Sequence, residues 1–265
     1  MAIEFGGLSG IQLALVGSAV TLLSTSLGAL PALAVKSITE RTKDTLMGFS
    51  AGIMLAATCF SLLNPALRLA SEGSDSKILP GLAVAGSVLA GGVFLHLCNR
   101  YIPHEHFVKG REGGPTSAQL KRIWLFVLAI ALHNFPEGLA VGSGVGSLDV
   151  AVAAPILVGI GLQDIPEGFV VAVALAGVAY TKRQIFWVVF LTGLLEAAAA
   201  MIGYAATSQV QGILPWTLAL SGGAMLYVIS DEMIPESHRK EHAQEATAGL
   251  MAGFVLMMFL DTSLG

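Results

Sequence analysis

The chain of 265 residues is 54% hydrophobic and only 12% charged, carries 31 glycines and has a mean hydropathy of +0.75. That balance excludes an ordinary soluble globule and assigns the whole chain, 1–265, to a single membrane-embedded domain. The net charge of −4 is spread over short connections rather than gathered in a patch, which excludes nucleic acid as a partner and leaves the lipid bilayer as the principal one.

Apolar runs long enough to cross a hydrocarbon core, roughly 20 residues at about 1.5 Å each, recur along the whole chain. They predict an all-α integral membrane protein with eight transmembrane helices at about 8–35, 46–70, 79–101, 123–146, 150–179, 185–207, 213–233 and 246–264. Helices are expected because each segment must satisfy its own backbone in lipid, and the short alternation of a membrane barrel is absent. The first run follows Met-Ala-Ile-Glu without a basic stretch and is too long for a signal-peptide core, so it reads as a retained span. In span two, Ser61 and Asn64 precede Pro65 and could line an entrance, as could Asp261 near the end of span eight. Cys59 and Cys98 lie inside apolar runs and read as buried free thiols, and His96 as a satisfied buried histidine. Gly48 and Gly52, then Gly138, Gly142 and Gly146, recur at the four-residue spacing that lets helix backbones approach closely.

The hydrophilic segment 102–122 contains His104, His106, Gly110, Gly113, Gly114 and Pro115 and reads as a cytoplasmic loop whose histidines could capture metal. Twelve of the fourteen Lys and Arg fall in the connections after spans one, three, five and seven. By the positive-inside rule those connections are cytoplasmic and both termini extracytoplasmic.

Span four contains His133-Asn134-Phe135-Pro136-Glu137-Gly138, and span five matches it with Gln163-Asp164-Ile165-Pro166-Glu167-Gly168. Three- and four-residue spacing puts the polar members of each segment on one helix face, so two antiparallel stripes can meet. Each proline removes a backbone bond, freeing the carbonyls of Leu132 and Leu162 as further oxygen ligands or water partners. Interrupted helices at corresponding positions point to a midplane transport site. Glu137, Asp164, Glu167 and Glu196 of span six would together oppose insertion by about 10 kcal/mol, so structure alone would not retain them. No Lys or Arg lies within spans four to six, and the compensating charge must come from protons, water or bound cations.

One imidazole with carboxylate and amide oxygens and no thiolate suits zinc first, then cadmium, iron(II) or manganese, better than copper(I), calcium or magnesium. Glu137 and Glu167 could each serve two ligand sets, one with His133 and Gln163, the other with Asn134, Asp164 and Glu196, which would make a bridged pair of metals. Glu232, Glu236 and His238 at the cytoplasmic end of span seven are auxiliary candidates, as are His104 and His106. The chemistry predicted is passage of divalent transition metal through the bilayer, with the metal as cargo and no prosthetic cofactor. An intramembrane metallohydrolase is the alternative, but it would need more histidine ligands, and no His-Glu-x-x-His occurs. A metal-sensing receptor would need an output domain that this chain lacks.

The two proline-centred segments resemble the span-four and span-five signatures of the ZIP (Zrt-, Irt-like protein) family of metal transporters. The resemblance extends through 42–65, Pro103-His104-Glu105-His106, Glu196 and Glu232-Met233-Ile234-Pro235-Glu236, and it is nearest to the bacterial members. It implies a transporter rather than an enzyme, eight core helices, import into the cytoplasm across a bacterial plasma (inner) membrane, a homodimer and a binuclear site on spans four to six. For bacterial members it further implies an elevator mechanism, in which spans one, four, five and six slide against two, three, seven and eight. Many relatives have histidine where this chain has Gln163, a difference that bears on metal preference.

Overall fold

The computed structural model describes residues 8–34, 39–72, 76, 78–101, 116–176, 180–210, 212–239 and 241–264. Among them every regular element is helical: α1 Gly10–Ala34, α2 Glu40–Ala57, α3 Asn64–Ser71, α4 Ile78–Tyr101, α5 Thr116–Gly146, α6 Val150–Ala176, α7 Lys182–Gln209, α8 Leu214–Val228, α9 Ile234–Ser237 and α10 Ala243–Leu264. Among the described residues, six helical stretches are long and apolar enough to cross a membrane: Gly10–Leu33, Glu40–Ser71, Ile78–Cys98, Val150–Ala176, Lys182–Gln209 and Ala243–Leu264.

Hydropathy marks the apolar part of a helix, whereas capping decides where the helix ends, and the two differ at the polar termini. α2 starts at Glu40, six residues ahead of the apolar run, because Thr39 Oγ1 accepts from Thr42 N–H at 3.2 Å. α7 starts at Lys182 behind a reciprocal cap in which Thr181 and Gln184 each bond the other's backbone N–H.

Two turns of π-helix, Thr58–Leu63 and Ile229–Met233, join α2 to α3 and α8 to α9. Both stand immediately ahead of a proline, Pro65 and Pro235, near the start of the next helix. A proline ring clashes with the carbonyl four residues back, here Ser61 and Asp231, and a widened turn relieves that clash without ending the rod. The backbone follows suit, since Asn64 N–H bonds Cys59 O and Ile234 N–H bonds Ile229 O, each five residues back. Around Pro136 and Pro166, by contrast, α5 and α6 remain α-helical.

Glycines join the helices in pairs, two pairs in each of two groups. In the first, α1 meets α6 through Gly28 and Gly168, and α5 meets α7 through Gly138, Gly142 and Gly203; a Cβ at any of these would overlap a carbonyl oxygen of the partner helix. In the second, α2 meets α10 through Gly48, Gly52, Gly249 and Gly253, and α4 meets α8 through Gly91 and Gly223 in the same manner. Four of the five glycines singled out by their spacing therefore make backbone contact, whereas Gly146 meets mainly the side chain of Thr207.

Among the described glycines, every close approach to another helix's backbone lies inside one group. Between the groups the packing is by side chains: Ile156 and Ile160 of α6 share a buried cluster with Ala51 and Met54 of α2 and Met225 and Val228 of α8. Gly159, which does face the other group, meets the flexible end of Met257, with its sulfur 2.9 Å from where a Cβ would be.

A glycine at a backbone contact cannot take a side chain without moving a whole helix. Gly142→Val and Gly52→Val are expected to destabilise the detergent-solubilised protein by roughly 1–3 kcal/mol or more. Gly86→Ala, where nothing lies within 4 Å of the new carbon, is the control expected to leave the melting temperature unchanged. Equal melting temperatures for all three variants would contradict the close packing.

Candidate metal site

Every member of the predicted ligand set is buried: His133, Asn134 and Glu137 on α5, Gln163, Asp164 and Glu167 on α6, and Glu196 on α7, none more than 4% exposed. The helical spacing brings the polar stripe of α5 against that of α6, and Gln163 Nε2 donates a hydrogen bond to Glu137 Oε1. Oxygens of Glu137, Asp164 and Glu167 lie within 4.8 Å of one another.

Glu196 enters from the third helix. Its Oε2 accepts from Asn134 Nδ2 at 3.3 Å and from Thr25 Oγ1 of α1 at 3.3 Å. With its amide turned over, Asn134 instead donates to Ile130 O at 2.6 Å and to Glu167 Oε1 at 3.1 Å, so it stands between two carboxylates in either orientation. The hydrogen bonds thus link Gln163 with Glu137, and Asn134 with Glu196 or Glu167.

What remains unsatisfied is informative. Glu137 Oε2, Gln163 Oε1, both oxygens of Asp164, Glu167 Oε2 and Glu196 Oε1 are buried and have no hydrogen-bond partner. Each such acceptor opposes burial by roughly 1–3 kcal/mol, and more if charged. Among the described residues no Lys or Arg pairs with Glu137, Asp164, Glu167 or Glu196. Convergent, unpartnered oxygens of one charge sign are a donor set for a cation.

His133 stands at the edge of this cluster, and its Nε2 lies 3.1 Å from Glu232 Oε1. Glu232 belongs to the π-helical turn after α8, in the other helix group, and it is brought to the site although the sequence marked it only as auxiliary. A second polar contact crosses between the groups nearby, where Ser50 Oγ of α2 donates to the carbonyl of Gln163 at 3.3 Å.

The remaining auxiliary candidates are engaged elsewhere or lie outside the described residues, as His104 and His106 do. Glu236 lies 3.7 Å from Arg239. His238 has both ring nitrogens in hydrogen bonds, Nδ1 with Ile234 O at 3.0 Å and Ser237 Oγ at 2.9 Å, and Nε2 with Thr247 Oγ1 at 2.9 Å. At the other end of the second group, Ser61 Oγ donates to Asp261 Oδ1 at 2.6 Å. Cys59 and Cys98 are free thiols but half-buried rather than buried, and His96 is exposed rather than buried, with its Nδ1 3.3 Å from Tyr227 Oη.

Thr25 was not a sequence candidate. Its signal was faint, a run of hydroxyl residues at Ser24, Thr25 and Ser26 in an otherwise apolar α1.

The chain has relatives among known proteins. The chain is 43% identical to the zinc transporter ZIPB of Bordetella bronchiseptica, over 95% of its own length and 81% of that relative's. It is 44% identical to the zinc transporter GufA of Myxococcus xanthus, over 95% and 98% of the two chains. A more distant relative, the zinc transporter ZupT of Corynebacterium aurimucosum, is 29% identical over 89% and 91%. The ZIP zinc transporter family profile matches residues 99–261, the part that contains α5, α6, α7 and the π-helical turn with Glu232. On matches of this length and identity, carried by the helices that build the carboxylate cluster, the chain belongs to the ZIP family of membrane metal transporters, bacterial in type.

Proposed function

We propose that the protein carries zinc across the bilayer into the cytoplasm, with cadmium, iron(II) and manganese as lesser cargoes, through a site on α5, α6 and α7. The observation that carries this reading is the set of buried carboxylate oxygens without partners, gathered where three helices meet. The relatives' names add that ZIPB and GufA are zinc transporters.

In this reading the ion exchanges its hydration shell for side-chain oxygens and one imidazole. Glu137 and Glu167 each have one oxygen engaged or near a neighbour and one free, which suits them to bridge two ions. His133 and Gln163 complete one ligand set, and Asn134, Asp164 and Glu196 the other. Eight spans are counted by adding α5 and the α8–α9 rod to the six stretches that are apolar along their length, with both termini extracytoplasmic. The protein works as a homodimer in a bacterial plasma membrane.

Elevator movement is the mechanism we infer. Its support is the division of the helices: glycine contacts pair α1 with α6 and α5 with α7, a Cβ at Gly193 of α7 would stand 3.3 Å from the Leu22 carbonyl oxygen of α1, and the apolar part of the boundary with the other group consists of side chains that can slide. The whole ligand set rides on the first group, so a shift of that group would carry a bound ion intact.

Three tests address this reading. Metal flux into proteoliposomes is expected to vanish in Glu137→Ala and in Glu167→Ala while both variants remain folded, because each carboxylate completes the site. Uptake at the wild-type rate in either one would remove it from the ligand set.

For orientation, single cysteines at Ser76 and Ser208 should react with an impermeant maleimide from outside, and one at Lys182 only from the cytoplasm, in a background lacking Cys59 and Cys98. The opposite labelling would invert the topology.

The third test concerns selectivity. An amide oxygen is a poorer zinc ligand than imidazole, whereas manganese favours oxygen. Gln163→His is expected to bind zinc more tightly and to shift preference toward zinc over manganese, with turnover unchanged or slower, since a carrier must also release its cargo. Titration of both metals against purified protein, alongside initial uptake rates, reads this. Unaltered affinities and rates for both metals would take Gln163 out of contact with the ion.

A further inference from the structure

α1 supplies no residue to the expected ligand set, yet it is held most tightly beside that set. Gly168, next to Glu167, lets α6 close onto the carbonyl of Thr25, where a Cβ would overlap the oxygen. Gly193, one turn before Glu196 on α7, faces the same residue, and a Cβ there would stand 3.1 Å from Thr25 Cβ. Thr25 is thereby wedged between the two helices at the level of Glu167 and Glu196, and it is 1% exposed.

Its hydroxyl has one proton and two acceptors in reach: the carbonyl of Thr21 at 3.0 Å and Glu196 Oε2 at 3.3 Å. The first is the ordinary resting place of a threonine hydroxyl on a helix, one turn back along its own chain. The second is a bond to a carboxylate, stronger when that group is charged. Glu196 uses only one oxygen in such bonds, since Oε2 meets Thr25, and Asn134 in one orientation of its amide, while Oε1 has no partner.

We propose that Thr25 is a positioning residue of the metal site, its hydroxyl holding Glu196 Oε2 and so leaving Oε1 as the oxygen offered to the transported ion. The inference rests on the reading of Glu196 as a ligand. Thr25 does not touch the ion; it fixes the rotation of the carboxylate that does. The two glycines allow its backbone close enough to do so, and Thr21 O receives the proton whenever Glu196 turns away.

The test uses the purified full-length protein with zinc as the probe, measured by calorimetric titration and by initial uptake rate in proteoliposomes, with a melting temperature for each variant. Thr25→Val keeps the shape and removes the hydroxyl, Thr25→Ala removes it without any risk of crowding, and Thr25→Ser retains it. Both hydroxyl-free variants are expected to weaken zinc binding by about tenfold and to raise KM for uptake at little change in maximal rate, as loss of one charge-assisted bond implies. Thr25→Ser is expected to restore affinity to within about twofold of wild type.

In a Glu196→Gln background, Thr25→Val should add less than about twofold, because both changes act on one carboxylate. Wild-type zinc affinity in a folded Thr25→Val or Thr25→Ala protein overturns the proposal. So does an undiminished loss in the Glu196→Gln background, which would show that Thr25 acts elsewhere. Glu196→Gln alone separates this proposal from the reading beneath it. Wild-type zinc binding there would remove Glu196 from the ligand set and the proposal with it, whereas lost binding there together with a wild-type Thr25→Val would overturn the role of Thr25 alone.

Discussion

The molecule is organised around buried carboxylates that, among the described residues, pair with no Lys or Arg. Glu137, Glu167 and Glu196 can share one site only if three helices approach more closely than ordinary side chains allow. The residue that permits this sits next to the ligand. Gly138 follows Glu137 and lies against the carbonyl of Glu196, and Gly168 follows Glu167 and lies against the carbonyl of Thr25. A Glu-Gly pair thus serves two ends, the first residue supplying an oxygen and the second the helix contact that brings the next oxygen near. In lipid, where apolar surfaces gain little by meeting one another, such close backbone packing is also what holds helices together.

The same device, applied unevenly, gives the protein its division. Backbone contacts through glycine are specific in register, because a carbonyl fits only where a side chain is missing. Contacts between side chains such as Met257, Ile156, Ile160 and Met225 are adaptable, methionine most of all. The boundary between α6 and the α2–α8–α10 face is of the second kind along its apolar length.

Much of this was legible in the sequence. The helices were visible as apolar runs, and the two proline-centred segments announced a polar site because paired, regularly spaced carboxylates have no structural reason to be in a membrane. Helix ends were less visible, since capping by Thr39 and Thr181 acts on residues that hydropathy scores as loop. The π-helical turns before Pro65 and Pro235 left no periodic signal, as a widened turn changes the phase of a helix without changing its composition. Glu232 and Thr25 were undervalued for a common reason. An acid near a helix end is usually solvated and a threonine in a membrane helix usually bonds its own backbone, and only the tertiary packing brings one to His133 and the other to Glu196.

The pairing of His133 with Glu232 carries the argument one step further. A neutral imidazole has one ring nitrogen that donates and one that accepts, and a metal takes a nitrogen that carries no proton. His133 Nε2 lies 3.1 Å from Glu232 Oε1 without a hydrogen bond between them, so the nitrogen nearest the other helix group faces a carboxylate. A four-coordinate zinc ion holds its nitrogen and oxygen ligands roughly 3.3 Å apart, so in the proposed carrier one ion can meet both His133 Nε2 and Glu232. An ion so held would join the ligand-bearing helices to their neighbours. The bond from Ser50 to the carbonyl of Gln163 crosses the same boundary but involves no ligand atom, so it gives the boundary a register without making that register depend on the cargo.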